Sequence, residues 1–388
     1  MSKYGISNLE NDDIVPYNQQ AQFLVFGVGG AGGNAVEHMV QQWVNGVTFV
    51  CANTDIQALN RLSVPNKIQL GFELTRGLGA GANPEVGRKS AEMDEEAIRN
   101  VLAGHDMVFI TAGMGGGTGT GAAPVVARIA KDMEILTVAV VTMPFAFEGA
   151  KRTIVARSGL EQVLQYVDSI ITIPNDKVLD IYGNIGYEEA LRRADDVLLH
   201  AVNGLVQTVS TTGHINTDFN DIRTAMTARG YAMMGVGRAS GEGRATKATQ
   251  MAICSPLLDD LRLENAKGLL VNITSGMLIA NEAMEVSKIL QDLVDLENGH
   301  IFYGFVTDES MGDDIHVTVI ATGLTVDDEP KIKPAQAVEA IRENVQQVHG
   351  GQGASSQSHS YAHQAAPMKM QAQSQTVMDF LNKQAKPS

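Results

Sequence analysis

The first half of the chain alternates short apolar runs with amphipathic stretches. Runs at 22–28, 47–53, 67–70, 107–111, 136–142 and 169–173 predict strands, and the patterns at 35–44, 85–102 and 122–133 predict helices between them. The runs are nearly continuous rather than alternating apolar and polar. Such strands are buried on both faces, which predicts a parallel sheet covered by helices on each side. Ligands of such sheets bind at the carboxyl ends of the strands.

Residues 190–209 read as one long helix with the apolar spacing of a buried connector. From about 216 to 323 the pattern changes. A helical stretch comes first, then strands at 269–275, 301–307 and 316–322, with a helix at about 282–295. This predicts an α+β unit with a mixed sheet. Residues 346–376 are rich in Gln, Ser, His, Ala and Gly, and cannot bury enough apolar area to offset chain entropy. Near the end Val377, Phe380, Leu381 and Gln384 share one helical face, so that a short docking helix and an unstructured end are both open readings.

Charge sharpens this division. The 388 residues carry a formal net charge of −15. Residues 331–388 hold six Lys/Arg against three Asp/Glu, a net of +3, so residues 1–330 carry −18. An acidic body argues against nucleic-acid binding. No apolar run approaches membrane-spanning length, and residues 1–20 lack the basic and apolar regions of a secretory signal. Cys51 and Cys254 sit in apolar stretches and read as buried thiols of a reducing compartment. The one H-x-x-x-H spacing, His359 and His363, falls in the Gln/Ser-rich segment, and the cysteines form no C-x-x-C, so no metal ligand is assigned.

The chemistry concentrates in glycine-rich turns. Gly115-Gly116-Gly117-Thr118-Gly119-Thr120-Gly121 follows the strand at 107–111 and opens a helix. Backbone N–H groups at such a turn converge, and the helix dipole adds positive potential. Gly27-Val28-Gly29-Gly30-Ala31-Gly32-Gly33-Asn34 repeats the arrangement after the first strand and satisfies G-x-G-x-x-G. With Asp55 at the end of the second strand, that motif alone suits a dinucleotide-dependent oxidoreductase. A second glycine-rich turn on the same sheet suits a longer polyphosphate instead. No Gly-Lys dipeptide occurs, which excludes a P-loop lysine. A third loop, Gly77 to Glu85, ends at Pro84 and exposes amides before a helix. Glu148 and Arg152 are four apart and share a helix face. Asn216, Asp218 and Asp221 lie in Asn-x-Asp-x-x-Asp spacing, where an N-cap accounts for one of them and two carboxylates could orient a water.

The run Gly115–Gly121, its lead-in Thr111-Ala112-Gly113-Met114 and its exit Ala122-Ala123-Pro124 resemble the tubulin family, in its bacterial FtsZ branch. The similarity extends from about Ala21 to Gly323 through Asn53-Thr54-Asp55, Arg238 to Gly243, Ala252 to Leu258 and Val317 to Gly323. The resemblance implies an α/β, tubulin-like fold. Its parts would be a disordered arm (1–20), a Rossmann-like parallel-sheet GTP-binding domain (21–189), a connecting helix (190–210), an α+β domain with a mixed sheet (211–325), a disordered linker (326–376) and a partner-docking peptide (377–388). It implies a GTPase with Mg²⁺ on the phosphates, which polymerises head to tail into the division ring at mid-cell in the cytoplasm. Partners would be further copies of the chain and tethers or regulators on the C-terminal peptide, with no direct membrane insertion.

By the same resemblance, GTP/GDP would meet Gly29, Gly30, Ala31, Gly32, Gly33 and Asn34 in the first turn. Gly81, Ala82 and Asn83 would form a third phosphate-side loop, beside Gly115, Gly116, Gly117, Thr118, Gly119 and Thr120. Glu148 would contact the ribose and Arg152 the base or sugar, and Asn175 and Asp196 the guanine edge, with Asp195 only flanking. Asn216, Asp218 and Asp221 would complete the site of the next subunit. Met143 stands where the family often has Lys, and 181–187 departs in detail from the family loop. The tail lacks the usual proline and one basic residue. That weakened tail leaves a second reading, an FtsZ-like paralogue with a structural or regulatory filament role.

Overall fold

The computed structural model describes residues 21–324 apart from 43, 45, 184, 211–218, 228–229, 259–265 and 292–299. The arm, linker and docking peptide expected at 1–20, 326–376 and 377–388 lie outside the described residues, as do Asn216 and Asp218.

The strands are β1 (Phe23–Val28), β2 (Val47–Asn53), β3 (Asn66–Gln69), β4 (Met107–Gly113), β5 (Leu136–Met143), β6 (Ser169–Pro174), β7 (Gly230–Ser240), β8 (Gly268–Ser275), β9 (His300–Thr307) and β10 (Asp314–Leu324). The helices are α1 (Gly29–Gln41), α2 (Ile56–Arg61), α3 (Phe72–Thr75), α4 (Pro84–Met93), α5 (Glu95–Leu102) and α6 (Thr118–Asp132). They continue with α7 (Ala150–Leu164), α8 (Asn175–Tyr182), α9 (Tyr187–Ser210), α10 (Phe219–Met226), α11 (Arg244–Ile253) and α12 (Ala280–Gln291).

All ten strands join one sheet in the order β3-β2-β1-β4-β5-β6-β7-β10-β8-β9. β1 to β6 run parallel, in register pairs such as Val25↔Phe109 and Val140↔Ile171. The expected parallel sheet is there because its strands are dry on both faces: every residue of β1, β5 and β6 is buried. Alternate residues feed two cores. Leu24, Phe26 and Ile110 pack under α4, α5 and α6, while Phe23, Val25 and Phe109 pack under α1 and α9. The order passes from β1 outward to β2 on one side and to β4 on the other. A crevice therefore opens where the helices after β1 and β4 leave in opposite directions.

The second half is a mixed sheet. β10 is antiparallel to both β7 and β8, and β9 is parallel to β8. β7 joins it to the first half through three parallel pairs with β6. The apolar pattern had suggested no strand before 269, yet β7 runs for 11 residues. Its signal is broken by Gly235 and Gly237, where an added Cβ would lie 1.9 Å from the carbonyl oxygens of Ala252 and Ala248. Glycine there lets α11 lie directly on the strand, so the face that carries Tyr231, Met233 and Ala239 has no side chain at its centre. The expected helix at 85–102 is two helices, broken at Asp94, whose carboxylate accepts the Gly71 N–H at 2.6 Å.

The connector α9 starts at Tyr187, three residues before the expected position, and buries Ala194, Val197, Leu198, Ala201, Val202 and Leu205. Among the described residues no helix is long and apolar enough to cross a membrane.

Candidate functional site

A cavity of about 430 Å³ opens in the crevice at the carboxyl ends of β1, β4, β5 and β6. Two helices begin on its wall. α1 starts at Gly29 after Val28, and α6 starts at Thr118 after Gly117. Neither start has a capping side chain, and neither first turn carries an acidic residue. The leading N–H groups of a helix have no partner within it. Here two such sets face one space, through Gly30 and Ala31 on one side and Gly116 to Gly119 on the other. Each terminus is equivalent to roughly half a positive charge. That makes an anion site inside an acidic chain. Among the described residues Arg152 is the one Lys or Arg in the lining, and its guanidinium is paired with Glu148 at 2.7 Å.

The glycines of this site divide into two kinds. At Gly32 an added Cβ would lie 2.3 Å from the Thr111 carbonyl oxygen, and at Gly119 it would lie 2.6 Å from that of Gly113. Gly29 has φ +75° and would press on the Gly119 nitrogen at 2.8 Å. These glycines let helix and strand, or the two helix starts, approach each other. Gly30 and Gly116 are different. Neither has a left-handed φ, and an added Cβ meets no protein atom within 4 Å. Both line the cavity, so a side chain there would only fill it.

Hydroxyls hold the frame. Thr120 Oγ1 accepts the Gly115 N–H at 2.9 Å, and Thr118 Oγ1 lies 2.6 Å from Thr54 Oγ1. The third loop braces the second. An added Cβ on Gly117 would lie 2.8 Å from Ala80 Cβ and 2.9 Å from the Asn83 nitrogen. Asn83 itself caps α4 by accepting the Glu85 N–H at 3.0 Å.

Of the expected ligand contacts, Gly30, Ala31, Asn34, Gly116, Gly117, Thr118, Gly119, Glu148, Arg152 and Asn175 line the cavity. Gly29, Gly32, Gly33, Gly81, Ala82, Asn83, Gly115, Thr120 and Asp196 do not; they frame it or face elsewhere. Asn175 is buried, and its Oδ1 has no hydrogen-bond partner. A buried acceptor left open is costly unless something fills it.

Asp196 is engaged on another face of α9. It binds His38 Nε2 at 2.8 Å and Arg193 Nη1 at 3.2 Å. Tyr187 and Leu191, four residues apart, both line the cavity, and Asp195 follows four residues on without itself lining it. Burial, with the neighbouring Asp196 charge, pushes the Asp195 carboxyl up to about 7. Pattern reading had missed Tyr187, a half-exposed ring packed beside Phe145 and Phe147 at centroid distances of 6.2 and 5.9 Å. The signal that could have found it is the 187-191-195 spacing, once the helix is extended back to Tyr187. Asp55 caps α2, accepting from the Gln57 and Ala58 N–H groups, and so does not offer its carboxylate to a dinucleotide ribose.

Asp221 lies in the first turn of α10, exposed and far from this wall. Its neighbour Phe219 packs edge-on against Phe23, the first residue of β1, with centroids 6.2 Å apart. The cavity begins at Val28, the last residue of that strand. Six strand residues, roughly 16–20 Å, therefore separate Asp221 from the cavity of its own chain.

The model of the Tubulin/FtsZ family GTPase domain matches residues 22–183, and that of the FtsZ family C-terminal domain matches residues 230–325. The chain is 53% identical to the cell division protein FtsZ of Pseudomonas aeruginosa over 308 residues, covering 79% of this chain and 78% of the relative. It is 52% identical to that of Coxiella burnetii, covering 79% and 80%. Among solved structures, an empty FtsZ dimer from M. jannaschii superposes with a TM-score of 0.76 at 42% identity, covering 79% of this chain and 89% of that one. The two matched domains together with relatives of this identity and coverage establish that the chain belongs to the FtsZ family and carries its GTPase domain.

Proposed function

We propose that the chain binds GTP in the crevice and hydrolyses it only between subunits of a head-to-tail filament. The polyphosphate lies against the starts of α1 and α6, held by main-chain amides. Glu148 and Arg152 face the sugar. The base rests on the Tyr187–Leu191 face, with Asn175 and Asp195 at its edge. A carboxylate on that edge pairs with the N1–H and 2-amino donors of guanine, which adenine lacks. Asp196, which the family resemblance names, is the neighbouring carboxylate and is held by His38 and Arg193; the pH dependence of binding decides between the two.

The observation that carries the reading is the position of Asp221 at the opposite end of the strands from the cavity. One chain cannot join the two. A second copy stacked on the first in the same orientation can, and such a heterologous contact propagates into an open filament. Asp221, with Asn216 and Asp218, then orients the attacking water from the neighbour. Among the described residues no cluster of three metal-ligating side chains exists, and Glu148 is the one carboxylate lining the cavity. Mg²⁺ would therefore be held chiefly by phosphate and water, offsetting phosphate charge. In the cell the filament would form the division ring, with tethers docking on 377–388.

Phosphate release from GTP, measured against protein concentration, tests this. The rate per subunit should stay near zero below a threshold and rise above it, and Asp221→Ala should bind GTP without turnover. A rate per subunit independent of concentration would show that one chain holds a complete site.

A further inference from the structure

A second cavity, of about 290 Å³, lies between one face of α9 and the sheet of the second half. α9 contributes His200, Asn203 and Gln207, and the sheet contributes Asn272 of β8 and His316 of β10. The nucleotide reading uses none of these residues. The two imidazoles meet across the cleft, edge to face, with ring centroids 6.0 Å apart. His316 Nε2 and Asn272 Oδ1 are both buried without a hydrogen-bond partner. The pair thus couples the connector helix to the second half through rings that pack well only while uncharged.

We propose that His200 and His316 form a proton-operated latch across this cleft: neutral, they pack ring to ring and hold α9 on the sheet; protonated, they draw water in and release it.

The surrounding charges favour this behaviour. Arg238 of β7 stands directly across the ladder from His316, and so adds positive charge on the same face. The facing carboxylates are already engaged. On α9, Asp196 binds His38 of α1 and Arg193. On β10, Asp314 binds Arg238. In the turn after β9, Asp308 accepts from the N–H and hydroxyl of Ser310. Asp196 and Asp314 each share their charge with an arginine, and their pull on His200 and His316 does not outweigh burial.

Burial holds both rings below the ordinary histidine value. It lowers His200, against the pull of Asp196, and it lowers His316 to about 4, helped by His200 and Arg238 against the pull of Asp314. In an opened, hydrated cleft they return toward 6.5. Between these values the open form binds more protons. Acid therefore shifts the balance toward opening, by up to about tenfold per pH unit for each proton taken up. Above 6.5 the closed form is favoured without further pH dependence from this pair.

Hydrogen exchange of the full-length, GDP-bound protein at pH 7.5 and 5.5, corrected for intrinsic rates, tests the latch. Wild type should lose about tenfold or more protection in α9 and β10 at pH 5.5, while β1 and β2 stay protected. The His200→Gln/His316→Gln double variant should not show that loss. An equal loss in the variant, or a loss spread evenly over β1 and β2, would overturn the proposal. If the double variant does not fold, the imidazole carbon resonances of wild type decide. A pair titrating well below 6.5 supports the latch, and both rings titrating at the free value refutes it.

Discussion

The two kinds of glycine in the crevice make opposite predictions for the same substitution. Gly116→Ala adds a methyl group that meets no protein atom within 4 Å, at a residue without a left-handed φ. In the absence of ligand the variant should be as stable as wild type or gain about 0.4–1 kcal/mol, because alanine restricts the unfolded chain. Bound ligand changes the outcome, since the methyl projects into the space where a phosphate would approach. Overpacking costs about 1–3 kcal/mol, so GDP affinity should fall roughly 5- to 150-fold. Gly121→Ala, five residues on, is the control. Its Cβ would lie 1.9 Å from the Pro84 carbonyl oxygen and 2.7 Å from the Arg88 nitrogen, both backbone atoms of α4. The helix-propensity gain of about 1 kcal/mol cannot offset prising α4 from α6, and the variant should lose about 2 kcal/mol or more. Urea midpoints without nucleotide, with calorimetric titration of GDP, separate the two effects. A Gly116→Ala protein that binds GDP as tightly as wild type would refute the reasoning, because the open glycines would then face no ligand.

The remaining predictions concern two side chains. Asp195, raised to about 7 in the free protein, must ionise to accept from guanine, so GDP affinity should rise from pH 6.5 to 8 with release of a proton. Asp195→Asn should flatten that slope in calorimetry run in two buffers of different ionisation enthalpy; an unchanged slope would remove Asp195 from the base edge. Its own effect on folding runs the other way. A carboxyl raised in the folded state favours folding at low pH, and that contribution is lost as pH climbs through 7. Arg244 is 6% exposed and ties α11 to Glu282 of α12 at 2.6 Å and to the Met277 carbonyl at 2.6 Å. Arg244→Met leaves the Glu282 charge without its partner and should cost about 3 kcal/mol, read as a lower urea midpoint that Glu282→Gln partly restores.

The parallel half was legible because its strands are dry on both faces. β1, β2, β4, β5 and β6 start and stop within about two residues of their apolar runs, since burial on two sides leaves no polar positions to blur the ends. The helix starts were not legible. The pattern places them at 35 and 122, whereas α1 and α6 begin at Gly29 and Thr118, inside the glycine-rich turns. Glycine is a poor helix former, so propensity argues against a helix just where close approach requires one. β7 failed for a related reason. Gly235 and Gly237 remove the side chains that would have marked a buried strand, because the α11 backbone occupies their place.

Glycine therefore carries three meanings in this chain that letters alone cannot separate. Gly32 and Gly119 make room for protein, Gly30 and Gly116 leave room for something else, and Gly29 and Gly115 supply a backbone twist, with φ of +75° and +93°. All six fall in motifs that read as one kind of phosphate loop. Only the position of the neighbouring backbone sorts them. The same limit explains the choice between Asp195 and Asp196. Adjacent residues on a helix point about 100° apart, so which of the two carboxylates faces a base depends on helical phase, which the letters do not carry. Tyr187 and Leu191 line the cavity and Asp196 meets His38, while Asp195 lies one turn on from Leu191. Composition and spacing located the crevice to within a turn of helix. Which atom faces the ligand was decided by packing that no local stretch of sequence contains.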